Sequence, residues 1–430
     1  MTRSIPERRG AAGITARPGR DDPAAAGAAW SLWLAACVLA AARGVLAFVP
    51  TMHLWSLNLQ RFLAPPLAWL TWTLAALALV PALARRVTAG LVAAGDALAR
   101  LPAALTLASM AAAAALAWIL PDRVRFVGDF LLRQGTVEEA EKPSIVFPQA
   151  LPLDVLLHYR LPLLAGTWGL ADANGAARVL GALEAALFAW GALAFARVLG
   201  RRGPGALATA AIVFFGGYLG MMTGYSKAFS ELMLLDVAVA VAGIAALRSA
   251  GGARAGRGLL PLGLAVAAGA TLHRSALGLL PALALVWVAF LRADAGRGAW
   301  RKPALIAALA IPILAVAAMT PRIVADVLRW DAVHFNPAEV RAAGGPLRAA
   351  FADHRPLDLL NLLLVLSPLA IAAPVVAWRL RRAPVHEGAG SRLELAVLGV
   401  LALPMLVAGP FIHPAQGLFR DWDDFAAAGV

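Results

Sequence analysis

"AARVLGALEAALFAWGALAFARVLGRRGPGALATAAIVFFGGYLGMM", residues 176–222, holds two apolar runs, 176–196 and 205–222, around a short connection carrying Arg197, Arg201 and Arg202. Each run approaches the ~20 residues an α-helix needs to cross hydrocarbon. A basic connection between two such runs is how a membrane hairpin looks. The rest of the chain repeats the pattern. Of 430 residues, 61% are hydrophobic and 15% charged, against about 45–50% and about 25% in soluble domains. Mean hydropathy is +0.74. The expectation is an all-α, polytopic transmembrane bundle of about eleven helices. Candidate spans lie near 29–49, 64–83, 101–120, 176–196, 205–222, 228–247, 258–272, 275–291, 303–320, 358–378 and 393–411. The pair 258–272 and 275–291, interrupted by His273 and Arg274, reads as two short helices or one broken one.

The net charge of +13 does not indicate a nucleic-acid partner, because the arginines sit in clusters between apolar runs. Residues 1–28 read as a disordered basic tail, and 29–430 as one transmembrane domain. Cys37 is the single cysteine, so no disulfide framework forms within the chain.

Orientation follows from Lys and Arg density. The tail with 84–100, 197–204, 248–257, 292–302 and 379–392 carries 22 Lys or Arg in 88 residues. The alternate connections carry 14 in 132 residues, and 14 of the 25 acidic residues. The first set is expected to be cytoplasmic, with the N-terminus. Loops 121–175, 321–357 and 412–430 are then outside, in the inner membrane of a bacterium. The chain stops at Val430 without a closing helix, which reads as a fragment or as an end outside the membrane.

Polar groups that interrupt the apolar pattern are the candidate site. "RFVGDFLLRQGTVEEAEKPS", 125–144, places Asp129 among apolar neighbours at the mouth of the third span. A carboxylate shielded there can act as a base, although most such groups are simply solvated. Glu138, in an acidic run, reads as solvated surface or a secondary acceptor or cation contact. "QALPLDVLLHYRLPLLAG", 149–166, reads as an interfacial helix, with Asp154 and His158 on one face. Alternatively, His158 and Arg160 line a site above it. "GYSKAFSELMLLD", 224–236, carries Tyr225, Lys227, Glu231 and Asp236. Ionisable groups in membrane helices are costly and point to function, yet Lys227 and Glu231 are also spaced for a local ion pair. His273 and Arg274 stand at an outer helix end, where Arg274 could snorkel to headgroups or grip a phosphate. "LFRDWDDFA", 418–426, packs Arg420, Asp421, Asp423 and Asp424 around Trp422, suited to a cation or sugar hydroxyls.

Across roughly 101–300 the pattern resembles the GT-C class of membrane glycosyltransferases, which includes protein O-mannosyltransferases and the aminoarabinose transferases of lipid A. The residues that carry the likeness are "VGDFLLR" in the first large outer loop, the amphipathic stretch 149–166 and "HRSALGLLPAL". The resemblance implies inverting transfer of a sugar from a polyprenyl-phosphate donor to a lipid, glycan or protein acceptor. Asp129 would be the base, with Lys227 and Arg274 neutralising the leaving phosphate. The chain departs from the family in having two extra spans before this loop and Phe130 after Asp129. Glu138 or Asp421 would then replace the missing acidic partner in holding a divalent cation, or no metal is used. The competing expectations are a secondary transporter or flippase, and an outer-face glycan polymerase or ligase.

Overall fold

The computed structural model describes residues 23–120, 150–225, 227–249, 258–293, 303–330, 335–381, 389–414, 417–419 and 421–430. These residues are 83% helical, and no strand occurs among them. The longer helices are α1 (Pro23–Leu46), α2 (Pro65–Leu79), α3 (Pro81–Arg100), α4 (Pro102–Ile119), α5 (Ala173–Val198) and α6 (Gly203–Phe214). They continue as α7 (Phe229–Ser249), α8 (Leu259–Leu272), α9 (Leu280–Arg292), α10 (Pro303–Trp330), α11 (Arg355–Leu366), α12 (Ala373–Leu380) and α13 (Ala389–Ala408). Several start with proline in the first turn, where its fixed φ suits the helix and its missing N–H has no partner to lose. Asp172 caps α5 by accepting from the Gly175 amide at 2.6 Å.

All eleven expected runs fall on helices, but not as eleven crossings. Among the described residues seven helices are long and apolar enough to cross a membrane, and nine if each of two bent pairs is one span. The run 64–83 breaks at Val80, which precedes Pro81 and adopts an extended conformation. The axis turns by 86° and continues as α3, so 84–100 is helix rather than loop. The run 358–378 turns by 113° at Ser367 and Pro368. The run 205–222 ends its α-helix at Phe214 and gives way to a tighter turn over Gly217–Met222. A Cβ on Gly217 would strike the Val365 carbonyl, so glycine is what lets this turn press against α11.

The expected outer loop 321–357 is corrected: α10 runs on to Trp330, with Pro312 and Pro321 inside it. Proline is tolerated in membrane helices because neighbours re-satisfy the freed backbone groups.

The core is built around α7, which packs against α5, α8, α9, α13 and the C-terminal turn Trp422–Gly429. Phe188, Met233, Leu272, Val286 and Phe425 are among its fully enclosed side chains. Small residues let backbones close up: a Cβ on Gly263 of α8 would meet the Ala308 carbonyl of α10. By contrast, α1 lies at the periphery against α2 and α12, with most of its apolar surface uncovered.

A buried polar cluster at the start of α7

Side-chain contacts bring together the start of α7, the 152–167 segment, the junction of α8 with the turn before α9, the end of α10 and the C-terminal turn. Six expected site residues lie here: Tyr225, Lys227, His158, His273, Arg274 and Asp421. Asp129, Glu138 and Arg420 lie outside the described residues.

The chain reaches α7 through Gly224, whose φ of +101° favours glycine. Lys227 precedes the first helical residue, Phe229. Its Nζ donates to Asp423 Oδ2 at 2.6 Å and Asp424 Oδ1 at 2.7 Å. The side chains are 7%, 0% and 14% exposed. The local pairing of Lys227 with Glu231 is therefore corrected: Lys227 stands before the helix, so the two do not share a helical face. The ammonium also lies 5.2 Å from the Phe229 ring centroid, a cation–π distance. Tyr225 meets Trp422 edge-on at 6.2 Å. Two motifs almost 200 residues apart in sequence thus form one ion cluster.

Beyond Phe229 lies His273, with ring centroids 4.7 Å apart. His273 is extended between α8 and the turn Arg274–Leu279 and caps that turn, its Nδ1 accepting from the Ser275 amide at 3.2 Å. Ser275 Oγ is 2.6 Å from the same nitrogen. An accepting Nδ1 leaves the neutral ring's proton on Nε2. Arg274 does not snorkel. It donates to Asp326 Oδ2 at 3.2 Å, across to the extension of α10. Asp326 was missed because Pro321 read as a helix end. The apolar residues Ile323, Val324, Val327 and Leu328 after it were the signal that the helix continues.

Residues 152–167 form one helical stretch with a widened turn at Leu156–Arg160. Pro162 cannot donate to the carbonyl four residues back, which favours such a bulge. The expectation of a surface helix is corrected for its polar face. Asp154 and His158 are 0% and 1% exposed, while Arg160 points out. His158 Nε2 lies 3.0 Å from Glu231 Oε1 and 3.8 Å from Asp154 Oδ1. Ser230 Oγ donates to Glu231 Oε2 at 3.2 Å. Glu184, from within α5, is buried beside Glu231 and Ser230.

Asp421 is buried at the start of the C-terminal turn. Below that turn a cavity of about 330 Å³ opens between α7, the 275–279 turn, α13 and Ala427, with Asp236 and Ser275 in an otherwise apolar wall. Nearby, His413 is enclosed 3.8 Å from Glu339. Burial and the Arg355 guanidinium hold its imidazole below the ordinary histidine pKa.

Chemically, the cluster offers two cations on carboxylates, an imidazole whose Nδ1 accepts from a backbone amide, and three further buried ionisable groups, His158, Glu231 and Glu184. Among the described residues no three His, Cys, Asp or Glu side chains are arranged to hold a metal ion. No family model, curated protein or solved structure matches the chain.

Proposed function

We propose that this multi-pass membrane protein is a glycosyltransferase acting at the non-cytoplasmic face of a bacterial inner membrane, with its N-terminus in the cytoplasm. The donor is a sugar on a polyprenyl phosphate, and the acceptor a lipid, glycan or protein hydroxyl. One observation carries the reading: Lys227 and His273 flank the Phe229 ring, and Arg274, the residue after His273, is held on Asp326.

The acceptor oxygen attacks the anomeric carbon, the carbon–oxygen bond to phosphate breaks with its electron pair going to the phosphate, and the configuration inverts. Asp129 takes the acceptor proton. Negative charge growing on the phosphate needs fixed positive charge beside it. Lys227 supplies it by exchanging Asp424, the more exposed of its two partners, for a phosphate oxygen while Asp423 keeps it in place. Arg274 makes the same exchange with Asp326. The test is transfer from labelled polyprenyl-phosphate sugar in vesicles. Asp129→Asn is expected to reduce transfer by about 100-fold or more, and retained transfer would remove the assigned base.

A second reading has its own support. Glu184 of α5 is buried beside Glu231, which lies 3.0 Å from the buried His158, and ionisable groups buried together among membrane helices are what proton-coupled secondary transport would require. Labelled solute accumulating in vesicles, and lost in Glu184→Gln, would favour it.

A further inference from the structure

A second pocket, with the opposite charge balance, lies among elements that the cluster at α7 does not use. It has a volume of about 170 Å³ and is bounded by the last turn of α1, residues 60–63 and the first turns of α2. Its charged groups are Arg43 and Arg61, and no acidic side chain lines it. Neither arginine is in an ion pair among the described residues. Arg43 donates to the Leu364 carbonyl at 3.5 Å and Arg61 to the Val49 carbonyl at 3.3 Å. Most of their ten N–H donors are thus left over, since each guanidinium carries about five. Arg43 Nε and Gln60 Oε1 are buried without a hydrogen bond.

One wall is aromatic. Phe48 and Trp69 are 5.5 Å apart, and Trp69 and Trp72 5.8 Å. Trp72 is pinned by its Nε1 donating to the Ala40 carbonyl at 2.8 Å. It lies flush on α1 because Gly44 has no Cβ to meet its ring. The pocket is continuous with α2, none of whose residues is buried; Leu67, Leu70, Leu74 and Leu77 all face outward.

We propose that this pocket binds the phosphate headgroup of an anionic membrane lipid, its chains lying along the exposed face of α2. An arginine in the last turn of a membrane helix is costly unless paired, and among the described residues Arg43 has no carboxylate partner. Two guanidinium groups match phosphate oxygens through parallel N–H donors. Tryptophans such as Trp69 and Trp72 are the residues that favour the headgroup level of a bilayer. The apolar path along α2 selects a lipid over free phosphate. None of the lining residues belongs to α7, the 274–279 turn or the C-terminal segment, so the site is independent of the proposed transfer.

The test is native mass spectrometry of the full chain released from detergent after incubation with phosphatidylglycerol, phosphatidylcholine or inorganic phosphate. Wild type should retain phosphatidylglycerol in preference to phosphatidylcholine and should not retain inorganic phosphate. Retention should fall about fivefold for each arginine removed, in Arg61→Gln and in Arg43→Gln/Arg61→Gln. Arg85→Gln, an exposed arginine on α3, should leave it unchanged. Arg61 is exposed with a single backbone bond, so its variant carries the test if the double variant does not fold. Equal retention by wild type and Arg61→Gln, equal retention of the two lipids, or displacement of lipid by millimolar phosphate would overturn the proposal.

Discussion

The two ends of α7 hold charge in different ways. At its C-terminal end Arg248 makes a bidentate pair with Glu394 of α13, at 2.6 and 2.8 Å, with the arginine side chain 41% exposed. Such a pair contributes about 1 kcal/mol or less, because the arginine stays in contact with water even though Glu394 is only 13% exposed. At its N-terminal end Lys227, Asp423, Glu231, Asp154 and His158 are buried and contributed by three separate stretches of chain. Buried pairs are weak evidence for stability, since apolar residues of the same volume often do as well. A fold that only needed its helices joined could use the first arrangement at both ends. The contrast is the reason the proposed chemistry is assigned to the start of α7.

The largest effect expected from that contrast is at Lys227. Lys227→Met leaves Asp423 and Asp424 enclosed without their cation and should cost about 3–5 kcal/mol, as broken buried pairs do. Thermal unfolding in detergent would measure it. Arg248→Gln at the other end should cost at most about 1 kcal/mol; equal losses would erase the distinction. The cycle can be sharpened by Lys227→Met with Asp423→Asn and Asp424→Asn, which should recover part of the loss because no charge is then stranded.

Next comes Glu231→Leu, which removes the acceptor facing His158 and should destabilise by roughly 1–3 kcal/mol. Glu231→Gln, which keeps a carbonyl there, should lose less. The smallest effect is a pH dependence. His413 is held neutral by burial and by Arg355, so the unfolded chain binds more protons as pH falls through the ordinary histidine range near ~6.5. Stability is full above that range and declines below it. Melting temperatures between neutral and mildly acid pH should show the decline, and His413→Gln should flatten it.

Much of the fold was legible in the sequence because a membrane helix advertises itself by length and apolarity alone. The runs 29–49, 101–120 and 228–247 all became α-helices within a few residues of their expected ends. What stayed hidden was where an apolar run bends. The turns at Val80 and Ser367 keep their hydropathy through the break, and the extension of α10 passes through a proline. Of the site, the polar residues around α7 were visible because charge in an apolar context is conspicuous. Their partners were not. Glu231 sits four residues from Lys227, whereas Asp423 is 196 away, and spacing along a helix says nothing about a partner brought in by the far end of the chain. Asp326 lay in the expected loop 321–357 until packing placed it against Arg274, and Glu184, one charge inside an apolar run, drew notice only once packing set it beside Glu231.

The most direct test compares the two ends of the bundle in one assay: transfer from labelled polyprenyl-phosphate sugar in vesicles holding equal amounts of folded protein. Arg274→Gln keeps a neutral donor toward Asp326, whose side chain is 5% exposed, and transfer is compared per amount of folded protein. It is expected to transfer about 100-fold more slowly than wild type, the usual loss when one group stabilising developing charge is removed. Arg248→Gln should stay within about twofold, as befits an exposed pair. Wild-type transfer by Arg274→Gln, or an equal loss in Arg248→Gln, would contradict the assignment of the chemistry to the start of α7.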